Sequence, residues 1–196
     1  MFFWQKKDSI AWIVVFLGNP GLRYDGTRHN VGFLTADIMA RELDIKINRA
    51  RFNALTAVTA LGGEKVLFVK PQTYMNLSGN AVRQAIRFYK LPQKNIIVVS
   101  DEISLPPGAL RIRGSGSAGG HNGLRDIISK CGGEDFPRVR IGVGSPPHED
   151  YDLAEWVLSK PVGEDALLIN EAARKAAAAV ELIVLSGVER AMSKYN

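Results

Sequence analysis

The chain has one cysteine, Cys131, in 196 residues. A disulfide framework within the chain is therefore excluded, and a lone thiol fits a reducing compartment. Histidine is also scarce: His29, His121 and His148 form no pair at metal-ligand spacing, so no metal site is expected. No serine lies in a Gly-x-Ser-x-Gly elbow, which argues against an α/β-hydrolase nucleophile. Long apolar runs are missing too. The longest, Ile10 to Leu17, is about half the ~18 residues needed to span a bilayer. Met-Phe-Phe-Trp precedes Lys6 and Lys7, the reverse of a signal peptide's basic-then-apolar order. These absences exclude membrane and secreted classes and lead us to expect a cytoplasmic protein. Internal repeats and low-complexity tracts are absent, as is any linker long enough to separate a pair of domains.

What is present is the balance of a soluble globular domain, 46% hydrophobic and 23% charged. At this length one domain covering 1–196 is expected. The net charge of +5 is unevenly placed. Residues 1–147 carry 20 basic and 11 acidic side chains, and residues 148–196 carry 5 and 9. A basic body with an acidic C-terminal region suits a polyanionic partner, although solubility alone also explains such a charge.

Ile10 to Leu17, apolar on both faces and bounded by Gly18-Asn-Pro-Gly21, reads as a buried central strand. Helical spacing follows over Val31–Leu43, with Asp37 and Arg41 at i,i+4. Ala54–Leu61 and Lys65–Val69 flank Gly62-Gly63 as a hairpin. A helix is expected over Leu77–Tyr89, with Ala81, Ala85 and Phe88 inward and Arg83, Arg87 and Lys90 outward. Asn95–Ser100 is a second buried strand, Ala109–Arg113 alternates as a strand with one wet face, and Val139–Val143 is a further short strand. The glycine-rich run 114–120 opens a helix to about Cys131, and a long amphipathic helix spans Glu164 to about Ser186. Strands alternating with helices, plus one antiparallel hairpin, give an α/β fold around a mixed, twisted sheet surrounded by helices.

Chemistry-bearing residues concentrate in four segments. Three follow strands: 18–32, 70–79 and 101–108. Loops at strand carboxyl ends are where α/β sheets hold ligands. The fourth is Gly114-Ser-Gly-Ser-Ala-Gly-Gly-His-Asn-Gly123. The inventory leaves histidine as general base, a carboxylate to orient it and several asparagines as neutral donors and acceptors. Each residue also has a plain structural role open to it. His29 can serve as a polar helix-start residue, Asp101 and Asn19 as turn formers, and Asn76 as a helix N-cap. Residues 114–119 fit G-x-G-x-x-G, but the preceding strand must leave Arg111 and Arg113 on a wet face, unlike the buried parallel strand before a dinucleotide loop. A phosphate approached by backbone N–H groups near Arg111, Arg113 and Arg125 fits better, and a flexible loop remains the alternative. Arg83, Arg87, Lys90, Arg138 and Arg140 would add sequence-independent phosphate contacts.

F-L-G-N-P-G (16–21), T-R-H-N-V-G-F (27–33), K-P-Q-T-Y-M-N-L-S-G (70–79), D-E-I-S-L-P-P-G (101–108), G-S-A-G-G-H-N-G-L-R-D-I (116–127) and F-P-R-V-R-I-G-V-G (136–144) closely resemble the bacterial peptidyl-tRNA hydrolase family, in that family's order. The resemblance implies that family's fold and hydrolysis of the ester between a peptide and the 3′ ribose of tRNA, releasing free tRNA and peptide without cofactor. It implies His29 as the base that activates water, Asp101 as its orienting partner, and Asn19, Asn76 and Asn122 as substrate-positioning asparagines. Tyr24, Tyr74 and Met75 match positions that shape the cleft, and His121 is expected as a substrate contact. Arg111, Arg113 and Arg140 fall where the family turns basic residues toward the tRNA. Residues 148–159 correspond to a lid-like stretch and 163–193 to a C-terminal helical region. A monomer with peptidyl-tRNA as its partner, and no protein partner, is implied. The chain departs from common members in an N-terminal extension, residues 1–9, and in Ser100 and Ser104, where a histidine and an acidic residue are frequent. A non-catalytic RNA-binding relative is the competing reading, and a nucleotide-cofactor enzyme built on the 114–119 loop a third.

Overall fold

The structure, a computed structural model, describes residues 9–148 and 150–196. The residues Phe2, Phe3 and Trp4, whose role the sequence leaves open, lie outside the described residues. A seven-stranded sheet runs through the middle: β1 (Trp12–Phe16), β2 (Arg49–Arg51), β3 (Ala54–Leu61), β4 (Glu64–Pro71), β5 (Ile96–Glu102), β6 (Leu110–Arg113) and β7 (Arg138–Gly142), in the order β2-β3-β4-β1-β5-β7-β6. The four inner strands β4, β1, β5 and β7 are parallel, and the others add antiparallel pairing at both edges. Strands β1 and β5 are apolar on both faces because helices cover both: α1 (Val31–Glu42) and α5 (Gly163–Ser186) on one side, α2 (Ser78–Tyr89) and α3 (Asn122–Cys131) on the other. A short α4 (Leu153–Leu158) precedes α5, and α6 (Val188–Tyr195) ends the chain. The mixed α/β fold read from the sequence is the one observed.

The central strand, the Gly62-Gly63 hairpin with Leu61 opposite Glu64, and the wet edge strand at 110–113 match expectation. Four details do not. Asp37 pairs not with Arg41 but with Lys70 at 2.6 Å, across from α1 to the end of β4, while Arg41 bonds to the Asp37 backbone carbonyl. Phe88 is 58% exposed rather than inward, and its ring stacks in a surface group with Phe52, Tyr89 and Arg51. The three-residue edge strand β2 carries arginines at both ends and too little alternation to be read. The fourth is Arg138. It is fully buried, with its guanidinium donating to the carbonyls of Gly116, Ser117, Glu134 and Phe136. It therefore shapes the glycine loop from within and is not a phosphate contact.

Strand register explains the crowding there. Arg111 lies opposite Arg140 and Arg113 opposite Arg138, so four guanidinium groups share one face of the β6–β7 pair. Like charges directly opposite destabilise a ladder. The inner pair is answered by protein: Arg138 by carbonyls and Arg140 by Glu102 at 2.8 Å and the Ser117 carbonyl. The outer pair, Arg111 and Arg113, is exposed.

Candidate active site

β1 and β5 are neighbours, yet the chain leaves β1 toward β2–β4 on one side and leaves β5 toward β6–β7 on the other. Loops diverging at such a switch point open a crevice beyond the strand carboxyl ends. The loop after β1 folds into a 3-10 turn, Arg28–Asn30, and runs directly into α1. That turn can sit over the strands because residue 32 is glycine. A Cβ there would lie 2.4 Å from the Leu17 carbonyl oxygen and 2.8 Å from that of Val99.

His29 comes from this turn and Asp101 from the end of β5. Nδ1 of His29 is 2.8 Å from Oδ1 of Asp101, and both residues are buried. Nε2 of His121 reaches the same oxygen at 2.9 Å. Nδ1 of His121 accepts from the amides of Gly123 and Leu124, capping α3. An accepting Nδ1 carries no proton, so Nε2 bears it and donates to Asp101. Both His121 nitrogens are thus taken by protein. Its ring lines the cleft beside Asn122.

His29, Asp101 and His121 place one ligand-type atom each within 4.8 Å, a grouping that sequence spacing did not reveal. Their separations of 2.8 and 2.9 Å are hydrogen-bond distances to one shared oxygen. Two atoms held 2.0 Å from a tetrahedral ion would stand roughly 3.3 Å apart. The trio is built for protons. Burial alone pushes Asp101 up, but its electrostatic and hydrogen-bond interactions with His29 and His121 outweigh it and hold the carboxyl well below the usual range. Burial likewise pushes His29 down, and the Asp101 charge and hydrogen bond reverse this, leaving its pKa raised. An ionised Asp101 only accepts, so the His29 proton sits on Nδ1 and the Nε2 lone pair is left for another partner.

Asn19 is more than a turn residue. Its Oδ1 accepts from the Met75 amide at 2.8 Å, so its Nδ2 is left as a donor. Asn30 fixes it: Asn30 Oδ1 accepts from the Asn19 amide at 2.8 Å, and Asn30 Nδ2 donates to the Asn19 carbonyl at 3.0 Å. The Oδ1 of Asn122 accepts from Arg125, which again leaves an Nδ2 donor. Neither Nδ2 has a protein acceptor among the described residues. Asn76 caps no helix, since α2 begins without a side-chain cap, and the residue is exposed.

Two cavities meet at His29. One, about 160 Å³, is lined by His29, Asp101, Glu102, Gly119, His121 and Asn122. The other, about 250 Å³, holds Asn19, Tyr24, Tyr74, Met75, Asn76 and Asn122. Ala154 and Val157 of α4 border both. The fold therefore brings nine expected residues, His29, Asp101, Asn19, Tyr24, Tyr74, Met75, Asn76, His121 and Asn122, to one cleft. Arg111 and Arg113 lie apart, on the edge strand β6, whereas Arg140 of β7 reaches the cleft wall through Glu102 at 2.8 Å. Cys131 is no alternative nucleophile, because burial, then Asp126, pushes its thiol up to about 11. Sequence reasoning missed Asn30 and Arg28, both buried. The only signal for them was their position on either side of His29 in the T-R-H-N run.

The model of the family described as peptidyl-tRNA hydrolase matches residues 13–196. A peptidyl-tRNA hydrolase of Caldanaerobacter subterraneus is 49% identical over 94% of this chain and 99% of its own length, and one of Alkaliphilus metalliredigens is 46% identical over the same shares. Among solved structures, the Acinetobacter baumannii peptidyl-tRNA hydrolase superposes with a TM-score of 0.89 at 34% identity, covering 95% of this chain and 96% of that one. A peptidyl-tRNA hydrolase in complex with N-propanol gives 0.89 at 35% identity, covering 94% of each. With motifs, fold and cleft in agreement over nearly the whole chain, the protein belongs to the peptidyl-tRNA hydrolase family.

Proposed function

We propose that the enzyme hydrolyses the ester joining a peptide to the 3′ ribose of tRNA, with His29 as general base. The observation that carries the reading is the Nδ1-to-Asp101 bond at 2.8 Å, which leaves the His29 Nε2 lone pair beside two donor amides in one cleft. A water at Nε2 loses a proton to His29 as its oxygen adds to the ester carbonyl. The imidazolium is held by Asp101 and then returns the proton to the departing ribose oxygen. A positioned base of this kind contributes about 10²–10⁴ in rate. The Nδ2 groups of Asn19 and Asn122 are donors by virtue of where their carbonyls are tied, and they suit the charge that builds on the carbonyl oxygen. Asn76, Tyr24, Tyr74 and Met75 would hold the peptide.

The tRNA would lie along the β6–β7 edge, where exposed Arg111 and Arg113 have no acidic partner at salt-bridge distance among the described residues. Arg140, already held by Glu102, would act beside them. A free α-ammonium would meet amide groups that cannot neutralise it, whereas a peptide N–H and C=O can be paired, so blocked aminoacyl-tRNA should be preferred.

The test is deacylation of N-acetyl-aminoacyl-tRNA and of unblocked aminoacyl-tRNA by wild type and by His29→Ala. The wild type should cleave the blocked substrate preferentially, and the variant should lose about 10²–10⁴ in kcat while still binding tRNA. Full activity in the variant would overturn the assignment of the base.

A further inference from the structure

The segment between β7 and α5 is bracketed by two glycines in the left-handed region, Gly144 at φ 76° and Gly163 at φ 58°. Between them α4 has six residues, none buried, although Ala154 and Val157 wall both halves of the cleft. So short a helix does not persist on its own propensity. Asp152 caps it by accepting from the Ala154 amide, but a cap does not attach a helix to the body.

The attachment is Arg28, whose neighbour in the same turn is His29. Arg28 is 4% exposed, and its guanidinium lies over the Trp156 ring, 3.7 Å from the centroid. Nη1 donates to Ser159 Oγ at 2.8 Å, Nε to the Val143 carbonyl at 3.3 Å, and Nη2 to Asp165 at 3.4 Å. The Arg28 amide donates to the Ser159 carbonyl, and Trp156 Nε1 to the Gly144 carbonyl at 2.7 Å. One cation thus joins the turn that carries His29, the end of β7, the C-terminal half of the α4 segment and the first turn of α5. A planar guanidinium can fork to several acceptors and stack on indole at once, which an ammonium cannot.

We propose that Arg28 is a positioning residue that pins α4 as the wall of the peptide half of the cleft, and so sets how tightly the peptidyl moiety of the substrate is held. Its guanidinium points to Trp156 and Ser159 and makes no hydrogen bond or ion pair with Asp101 or His121. The proton chemistry of His29 is served separately. The proposal takes its substrate from the function proposed above.

Arg28→Ala and Trp156→Ala break the pin from opposite sides, and Arg28→Lys keeps a cation without the fork. Hydrogen exchange of the 153–158 amides in the free enzymes reads the pin without any substrate. It should be faster in both alanine variants and no faster in the double variant. With N-acetyl-aminoacyl-tRNA, KM should rise about tenfold in each, the scale of one desolvated cation–π contact. Values of kcat should stay within about twofold, as expected when uniform binding is lost. The acid limb of the pH profile should not move, and Arg28→Lys should recover some of the lost affinity. Unchanged exchange at 153–158 would overturn the proposal, and so would a loss confined to kcat with a shifted acid limb. If Arg28→Ala fails to fold, Trp156→Ala decides from the lid side. Wild-type enzyme inactive on this substrate would count against the proposed function, while the exchange data would still judge the pin.

Discussion

His121 Nε2 donates to Asp101 at 2.9 Å, onto the same carboxylate oxygen that holds His29, while its other nitrogen caps α3. This second donor shares a negative charge that would otherwise fall wholly on His29. His121→Asn separates the two roles, because an asparagine oxygen can still accept at the cap but cannot replace the Nε2–H bond. Asp101 would then act on His29 alone and raise its pKa further. The acid limb of kcat/KM should move to higher pH with little change in Tm. An unmoved limb would show that His121 serves the helix and not the base.

The pH dependence of activity and of stability should oppose each other. The pKa of His29 is raised above its ordinary 6.5, so the neutral base that the proposed chemistry needs appears only as pH rises through that raised value. A raised pKa also means that folding stability from the His29–Asp101 pair is fully present below about 6.5 and is lost as pH rises through the folded value. Asp101, held below its ordinary 3.8, contributes stability above that value which is lost only in strong acid. From mildly acid to mildly alkaline pH, kcat/KM should therefore rise while Tm declines. In Asp101→Asn this decline of Tm should vanish. A wild-type Tm that climbs through the same window would contradict the geometry.

Asn30 lines neither half of the cleft but holds Asn19 by both its backbone N–H and its C=O. Asn30→Ala removes both bonds, and displacement of a catalytic group by about 1 Å costs about 10²-fold. Single-turnover rates on N-acetyl-aminoacyl-tRNA should fall by about 10- to 100-fold while tRNA binding is retained. Asn30→Asp keeps the acceptor for the Asn19 amide and should recover some of the rate. Equal loss in the two variants would mean that the turn itself had collapsed.

The elements legible in the sequence were those with a strong local signature. Ile10–Leu17 is apolar on both faces because two helix layers cover it, and Gly62-Gly63 closes a hairpin at a fixed register. The cleft residues were legible as polar clusters between elements, and the family resemblance then implied roles for them. What stayed hidden depends on tertiary neighbours. Asp37 has an acceptable local partner in Arg41 and takes Lys70, which only the fold brings near. Phe88 satisfies helical spacing for the core and finds aromatic company outside it. His121 and Asp101 are twenty residues apart in sequence, and nothing local states that they share a hydrogen bond.

Arg138 and Arg113 make the same point as a measurable contrast. They lie opposite one another on β7 and β6, and the sequence offers both as phosphate contacts, Arg138 by alternation and Arg113 by its place before the glycine-rich run. Arg113 is exposed, so Arg113→Ala should weaken tRNA binding and lower the slope of log K against log salt by about 0.7–0.9 while Tm holds. Arg138 is buried on four carbonyls, and burial, then Arg140, push its pKa down to about 10 against the pull of Glu134. Arg138→Ala would strand those carbonyls beneath the glycine loop, at a cost of about 3 kcal/mol. Its Tm should fall by several degrees, with the salt slope of tRNA binding unchanged in the cold, where the fold persists. A normal Tm with a reduced slope would return Arg138 to the tRNA interface.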